Sequence, residues 1–120
     1  MEHIFKPEKA FSEIARVLKP GGAHIFTVPL INKGEKSERW ASRGDDGEPL
    51  FHHEPEYHRN PVNNDGSLVT MHWGYDITEH ILLSSGLYST IISIDNLNLG
   101  IRAEYNEVIV SRKIAATAVL

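Results

Sequence analysis

The run HHEPEYH, residues 52–58, concentrates the side chains of this chain that could do chemistry. His52, His53, Glu54 and His58 are the donor types that hold zinc or iron, because neutral imidazole nitrogens and carboxylate oxygens suit those ions. The spacing argues against such a site. An HExxH pair places two histidines on one helical face, and Pro55 breaks any helix here, so no metal site is expected. A second cluster, MHWGYD, follows at residues 71–76. Trp73 and Tyr75 read as packing groups, since aromatic side chains mostly supply buried area. Asp76 reads as a helix cap. No GxSxG elbow, phosphate-binding loop or paired-carboxylate motif is present. Ser67, Ser84 and Ser85 lack a pattern that marks a nucleophile, and Arg39, Arg43 and Arg59 read as solvated loop charges.

The elements that position these clusters are marked unevenly. Residues 7–29, PEKAFSEIARVLKPGGAHIFTVP, read as one amphipathic helix, a sharp stop and an apolar strand. Pro7 suits a first helical position, where its missing N–H would be unpaired anyway. Phe11, Ile14, Ala15 and Leu18 recur at helical spacing. Lys19 lies near the carbonyl end, where a cation complements the helix dipole. Pro20 cannot continue the helix, and Gly21-Gly22 allow the turn. The strand AHIFTV is apolar enough to be covered on both faces. Residues 30–66 show no sustained period and read as one long loop, a feature usually functional or disordered in a small domain. A second helix is expected from Asp76, with Glu79 completing a capping box. Ile77, Ile81 and Leu82 are its expected buried stripe, extended by Leu83 or Leu87, and Gly86 is its expected end. YSTIISID (88–95) and YNEVIVSR (105–112) read as strands.

The wording from Glu2 to Pro29 resembles the second half of a class I S-adenosylmethionine-dependent methyltransferase. Glu2-His3-Ile4 match the Glu-His-Ile that follows the family's fourth strand. Ala15 to Gly22 match its ARVLKPGG phrase, and Pro29 the proline that ends its fifth strand. The resemblance implies an α/β fold, a partial Rossmann-like methyltransferase sheet. Its strands five, seven and six carry flanking helices, with the last strand antiparallel between the other two. The whole chain, 1–120, then reads as a single partial domain, the C-terminal half of that fold. The family's glycine-rich turn after its first strand, which cradles the methyl donor, has no counterpart here. The chain therefore reads as truncated, or as started inside a longer gene, and as not binding S-adenosylmethionine alone. The other reading is a non-catalytic half-domain that pairs with a partner chain.

The resemblance also assigns roles. The Glu-His pair lies near the donor's sulfonium, so Glu2 and His3 are cofactor-side candidates and His3 is the candidate base for the acceptor. Relatives carry a PEYHxNP loop, matched by Pro55 to Pro61. It makes residues 30–66 an acceptor-site lid, with Tyr57 and His58 as substrate contacts. His72 is placed against the acceptor as well. The acceptor itself is unspecified.

Composition narrows the partners. The 120 residues are 41% hydrophobic and 23% charged, with a net charge of −4, which offers no attraction to nucleic acid. Cysteine is absent, so disulfides and thiolate chemistry are excluded. There is no signal-peptide core, and the apolar C-terminal run IAATAVL is too short to span a bilayer. No membrane association and a cytoplasmic location are expected. The strand at 23–29 would expose the edge that its missing neighbour covers, an association hazard that predicts a homodimer or a partner chain there.

Overall fold

A computed structural model describes residues 1–115. Helix α1, Pro7–Val17, starts at the expected proline and buries Pro7, Phe11 and Ala15, spaced four residues apart along one face. Its end is sharp. Leu18 is already extended, and Gly21 takes φ 81°, a conformation that favours glycine. Its carbonyl end also receives a cation from the far end of the chain, Lys113. The Lys113 ammonium donates to the Ala15 carbonyl at 2.7 Å and the Leu18 carbonyl at 2.8 Å. Two otherwise unpaired carbonyls are thereby satisfied by a charge that also complements the dipole.

Strand β1, Ala23–Phe26, is shorter than the run read from the sequence. The chain then continues through buried Val28 and Leu30 into residues 30–66. That segment is not one structureless loop. Strand β2, Glu38–Arg39, β3, Ala41–Arg43, β4, Pro49–Phe51, and β5, Tyr57–His58, lie within it or at its end. Strands β6, Ser67–Leu68, and β7, Met71–His72, follow and complete three two-stranded antiparallel ribbons, β2 with β7, β3 with β4, and β5 with β6. Strands of two or three residues are too short to show alternation, which is why the sequence pattern hides them.

Helix α2, Ile77–Ser85, ends at Gly86 in the left-handed region. It buries Ile77 and Ile81, with Leu87 beyond its end, whereas Leu82 and Leu83 face solvent. Asp76 precedes the helix without capping it through its side chain. Its carboxylate instead accepts from the Ser37 backbone N–H and hydroxyl, at 3.1 and 2.5 Å. The capping-box reading of Asp76 and Glu79 is thus corrected: a long-range partner outcompetes the local N–H groups.

Strands β8, Tyr88–Ser93, and β9, Glu107–Arg112, complete the main sheet, in the order β1-β9-β8. β9 pairs antiparallel with both neighbours, Phe26 and Ile91 flanking Ile109. A short 3₁₀ turn, Leu97–Leu99, lies between β8 and β9. The described residues form a mixed α/β fold with small antiparallel sheets and two α-helices. Among them a Rossmann-like arrangement is not shown: beside the three-stranded main sheet, whose last strand lies antiparallel between the other two, six further short strands form three separate antiparallel ribbons. The core is built on one side of the main sheet, from Phe11, Leu30, Trp73, Ile77, Ile81, Leu87 and Ile109. The opposite side stays open, with Ile25 64% exposed, so the expectation that this strand is covered on both faces is corrected. Both helices pack on the inner face, and Val110, which pairs with Ile25 on the outer one, is half-buried. Residues 116–120, most of the apolar C-terminal run, lie outside the described residues. No helix among the described residues is long and apolar enough to cross a membrane.

Candidate functional site

Residues 2–4 are strapped to the segment joining β6 and β7. Thr70, fully buried, donates its N–H to the Glu2 carbonyl at 2.7 Å and its hydroxyl to the Ile4 carbonyl at 2.7 Å. Arg39 adds a bond to the Phe5 carbonyl at 2.9 Å. This strap brings His3 onto the β5–β6 ribbon, where its Nδ1 lies 2.9 Å from the Leu68 carbonyl oxygen. A carbonyl only accepts, so Nδ1 carries the proton and donates it, which leaves the Nε2 lone pair of the neutral ring free. The His58 ring meets His3 edge to face, with centroids 4.9 Å apart.

Glu56 ties this pair to His72. One carboxylate oxygen lies 3.3 Å from His58 Nε2 and the other 2.7 Å from His72 Nε2. Glu56 and His58 are two apart on an extended chain, so they share a face, and Tyr57 points the other way. Tyr57 is accordingly exposed and stands apart from the imidazole cluster. His72 is buried and stacks on Trp40 at 3.8 Å, and His53 stacks on the other face of that indole at 4.0 Å. The indole N–H donates to the Glu54 carbonyl at 2.9 Å, which fixes the ring between its two imidazoles.

The HHEPEYH histidines do not converge on one point. His52 turns to the Ser42 hydroxyl, at 2.8 Å, and His53 to Glu38, at 3.3 Å. Four of the five residues singled out from the sequence, Glu2, His3, His58 and His72, do come together, and Tyr57 does not. Two members of the site, Glu56 and Trp40, were not anticipated. The two-residue spacing of Glu56 from His58 could have revealed the first. Nothing local points to Trp40, which reaches His72 only through the pairing of β2 with β7.

The Glu2 carboxyl is under opposing influences. Burial pushes it up, while its own backbone N–H, the Met1 ammonium 2.9 Å away and the neighbouring His3 pull it down further, so it sits below its ordinary value. It is therefore an anion at neutral pH.

Residues 1–26 match a family model described as a methyltransferase domain. The match runs from the strapped Glu2-His3 pair through α1 to the end of β1, and it supports methyl transfer at a coarse level. No curated protein and no solved structure matches the chain.

Methyltransferase domains generally use S-adenosylmethionine. The Gly21-Gly22 turn does not fit that group. The adjacent glycines Gly21-Gly22 are spent on the turn between α1 and β1, where the Gly21 N–H donates to the Lys113 carbonyl and the Gly22 N–H to the Lys19 carbonyl. A Cβ on Gly22 would stand 2.9 Å from that Lys19 oxygen, so there is no cradle at this turn for a ligand to enter.

Proposed function

We propose that this chain supplies the acceptor side of an S-adenosylmethionine-dependent methyltransferase of class I, as the C-terminal half of that fold. The donor's glycine-rich turn comes, in this reading, from polypeptide outside these 120 residues. The observation that carries it is the strap between the family-matched segment and the histidine ribbon, which sets His3 against His58, while Glu56 joins His58 to His72. Methyl transfer to an oxygen, nitrogen or carbon acceptor needs alignment, exclusion of water and a destination for the acceptor's proton. His3 offers that destination at Nε2, because Leu68 holds its other nitrogen. Glu56 keeps His58 and His72 in fixed orientations toward the acceptor, and the Trp40 stack keeps water from one face of His72. Residues 30–66 act as the wall and lid over the acceptor, with Tyr57 at its outer surface.

The test is transfer of a labelled methyl group from S-adenosylmethionine to acceptors in a metabolite extract. The chain is assayed together with the polypeptide that supplies the donor turn, with a chelator present. His3→Gln is expected to lower the rate at least about 100-fold. A rate indifferent to that change would remove His3 from the proton's path.

A second reading is favoured by a different observation. The outer edge of β1 has no partner among the described residues, and Ile25 is exposed on it. In that reading the chain is a non-catalytic half that pairs with another chain, or with a second copy, through the 23–29 edge. Co-purification of a chain that carries a glycine-rich strand-turn-helix would favour pairing that completes an enzyme.

A further inference from the structure

We propose that Glu2, His3 and His58 form a binding site for one divalent transition-metal ion. One ligand atom from each lies within 4.8 Å of the other two, and all three residues are half-buried. Bonds to zinc of about 2.0–2.2 Å place tetrahedral ligands roughly 3.3–3.5 Å apart. The set therefore closes on an ion through side-chain rotation, without movement of the strap. Nε2 of His3 already lies 3.6 Å from one oxygen of Glu2.

Four further features suit an ion. The Leu68 carbonyl accepts from Nδ1 of His3, the kind of outer contact that orients ligating imidazoles and leaves Nε2 for the metal. The Met1 ammonium engages Oε2 of Glu2, so Oε1 is the oxygen turned toward His3. Glu56, 3.3 Å from His58, adds a second carboxylate at the rim of the set and so favours a cation electrostatically. The bonds that the Thr70 N–H and hydroxyl donate to the Glu2 and Ile4 carbonyls hold residues 2–4 against the segment after the ribbon that carries His58, which lowers the ordering cost of binding.

Two imidazoles and one carboxylate select the ion. Magnesium and calcium prefer all-oxygen shells, whereas zinc, iron(II), cobalt and nickel accept nitrogen. Three protein ligands leave a position open, as in catalytic rather than structural sites. The ion would occupy the same His3 lone pair proposed above for the acceptor's proton, so the two uses exclude each other. The metal site stands on its own ligands, and metal binding is read without any methyl transfer.

The test is calorimetric titration of zinc into the tag-free chain at pH 7.5, with magnesium as the control ion. One zinc per chain is expected, with Kd below about 10 μM, and no comparable magnesium binding. His3→Gln, His58→Gln and the near-isosteric Glu2→Gln should each weaken zinc at least about 100-fold, since even outer contacts cost 10–100-fold. Circular dichroism reports whether each variant keeps its fold. The change His52→Gln, on an exposed histidine outside the set whose ring bonds Ser42, should leave the affinity intact. Cobalt(II) should give visible absorption bands that vanish in the three ligand variants. Zinc binding weaker than about 1 mM overturns the proposal. So does zinc affinity that survives in folded His58→Gln or falls in His52→Gln.

Discussion

Trp73→Ala is expected to lower the unfolding free energy by about 3–5 kcal/mol. Trp73 is 1% exposed and sits where α1, α2 and the segment after β7 meet, with its ring 6.1 Å from that of Phe11. Truncation opens a cavity the size of an indole among Phe11, Leu30 and Ile77, and rigid helices on either side prevent its collapse. The indole N–H has no hydrogen-bond partner among the described residues. A buried donor without a partner is itself a cost. Trp73→Phe removes that cost and most of the cavity, so it is expected to lose less than about 2 kcal/mol. Equilibrium urea unfolding of the two variants separates the terms. Equal losses would show that the aromatic volume at this position is not what holds the core.

Gly74→Ala is expected to cost about 3 kcal/mol or more, a large effect for one methyl group. A Cβ at Gly74 runs into the Glu35 carbonyl oxygen and comes within 2.9 Å of the Lys33 carbonyl oxygen. Both obstacles are backbone, so neither can rotate away. Gly74 also donates its N–H to the Ser37 hydroxyl at 2.8 Å, and that hydroxyl donates to Asp76. The methyl group therefore pushes apart the clamp between residues 33–37 and the start of α2. It also moves Trp73 and His72, which immediately precede it. Thermal unfolding should show the loss, and the His72 ring signals should change with it. A variant as stable as the parent would mean that the 33–37 segment is not seated against Gly74.

Much of this architecture is legible in the sequence, and the part that is not has physical causes. Helix α1 and its stop are written locally, in Pro7, the apolar spacing and Pro20-Gly21. Strands β8 and β9 are long enough to show alternation. The ribbons within residues 30–66 are not, because their strands of two or three residues are held by long-range contacts such as the Trp40 stack. Asp76 misleads for a related reason. Its local spacing to Glu79 is that of a capping box, and Ser37, 39 positions away, takes the carboxylate instead. Lys113, far away in sequence, likewise reaches the end of α1. The site divides in the same way. Glu2, His3, His58 and His72 are each conspicuous by type and by resemblance. Their convergence depends on Thr70, a residue that no local pattern singles out.

The central claim is that this chain carries the acceptor side of a methyltransferase and not the donor cradle. The most direct measurement is calorimetric titration of S-adenosylmethionine into the 120-residue chain. The account predicts no binding tighter than about 1 mM, because Gly21-Gly22 are closed by their own backbone bonds and no second glycine-rich turn occurs in the sequence. A Kd in the micromolar range would contradict it, and would place a donor site among residues now assigned to the acceptor.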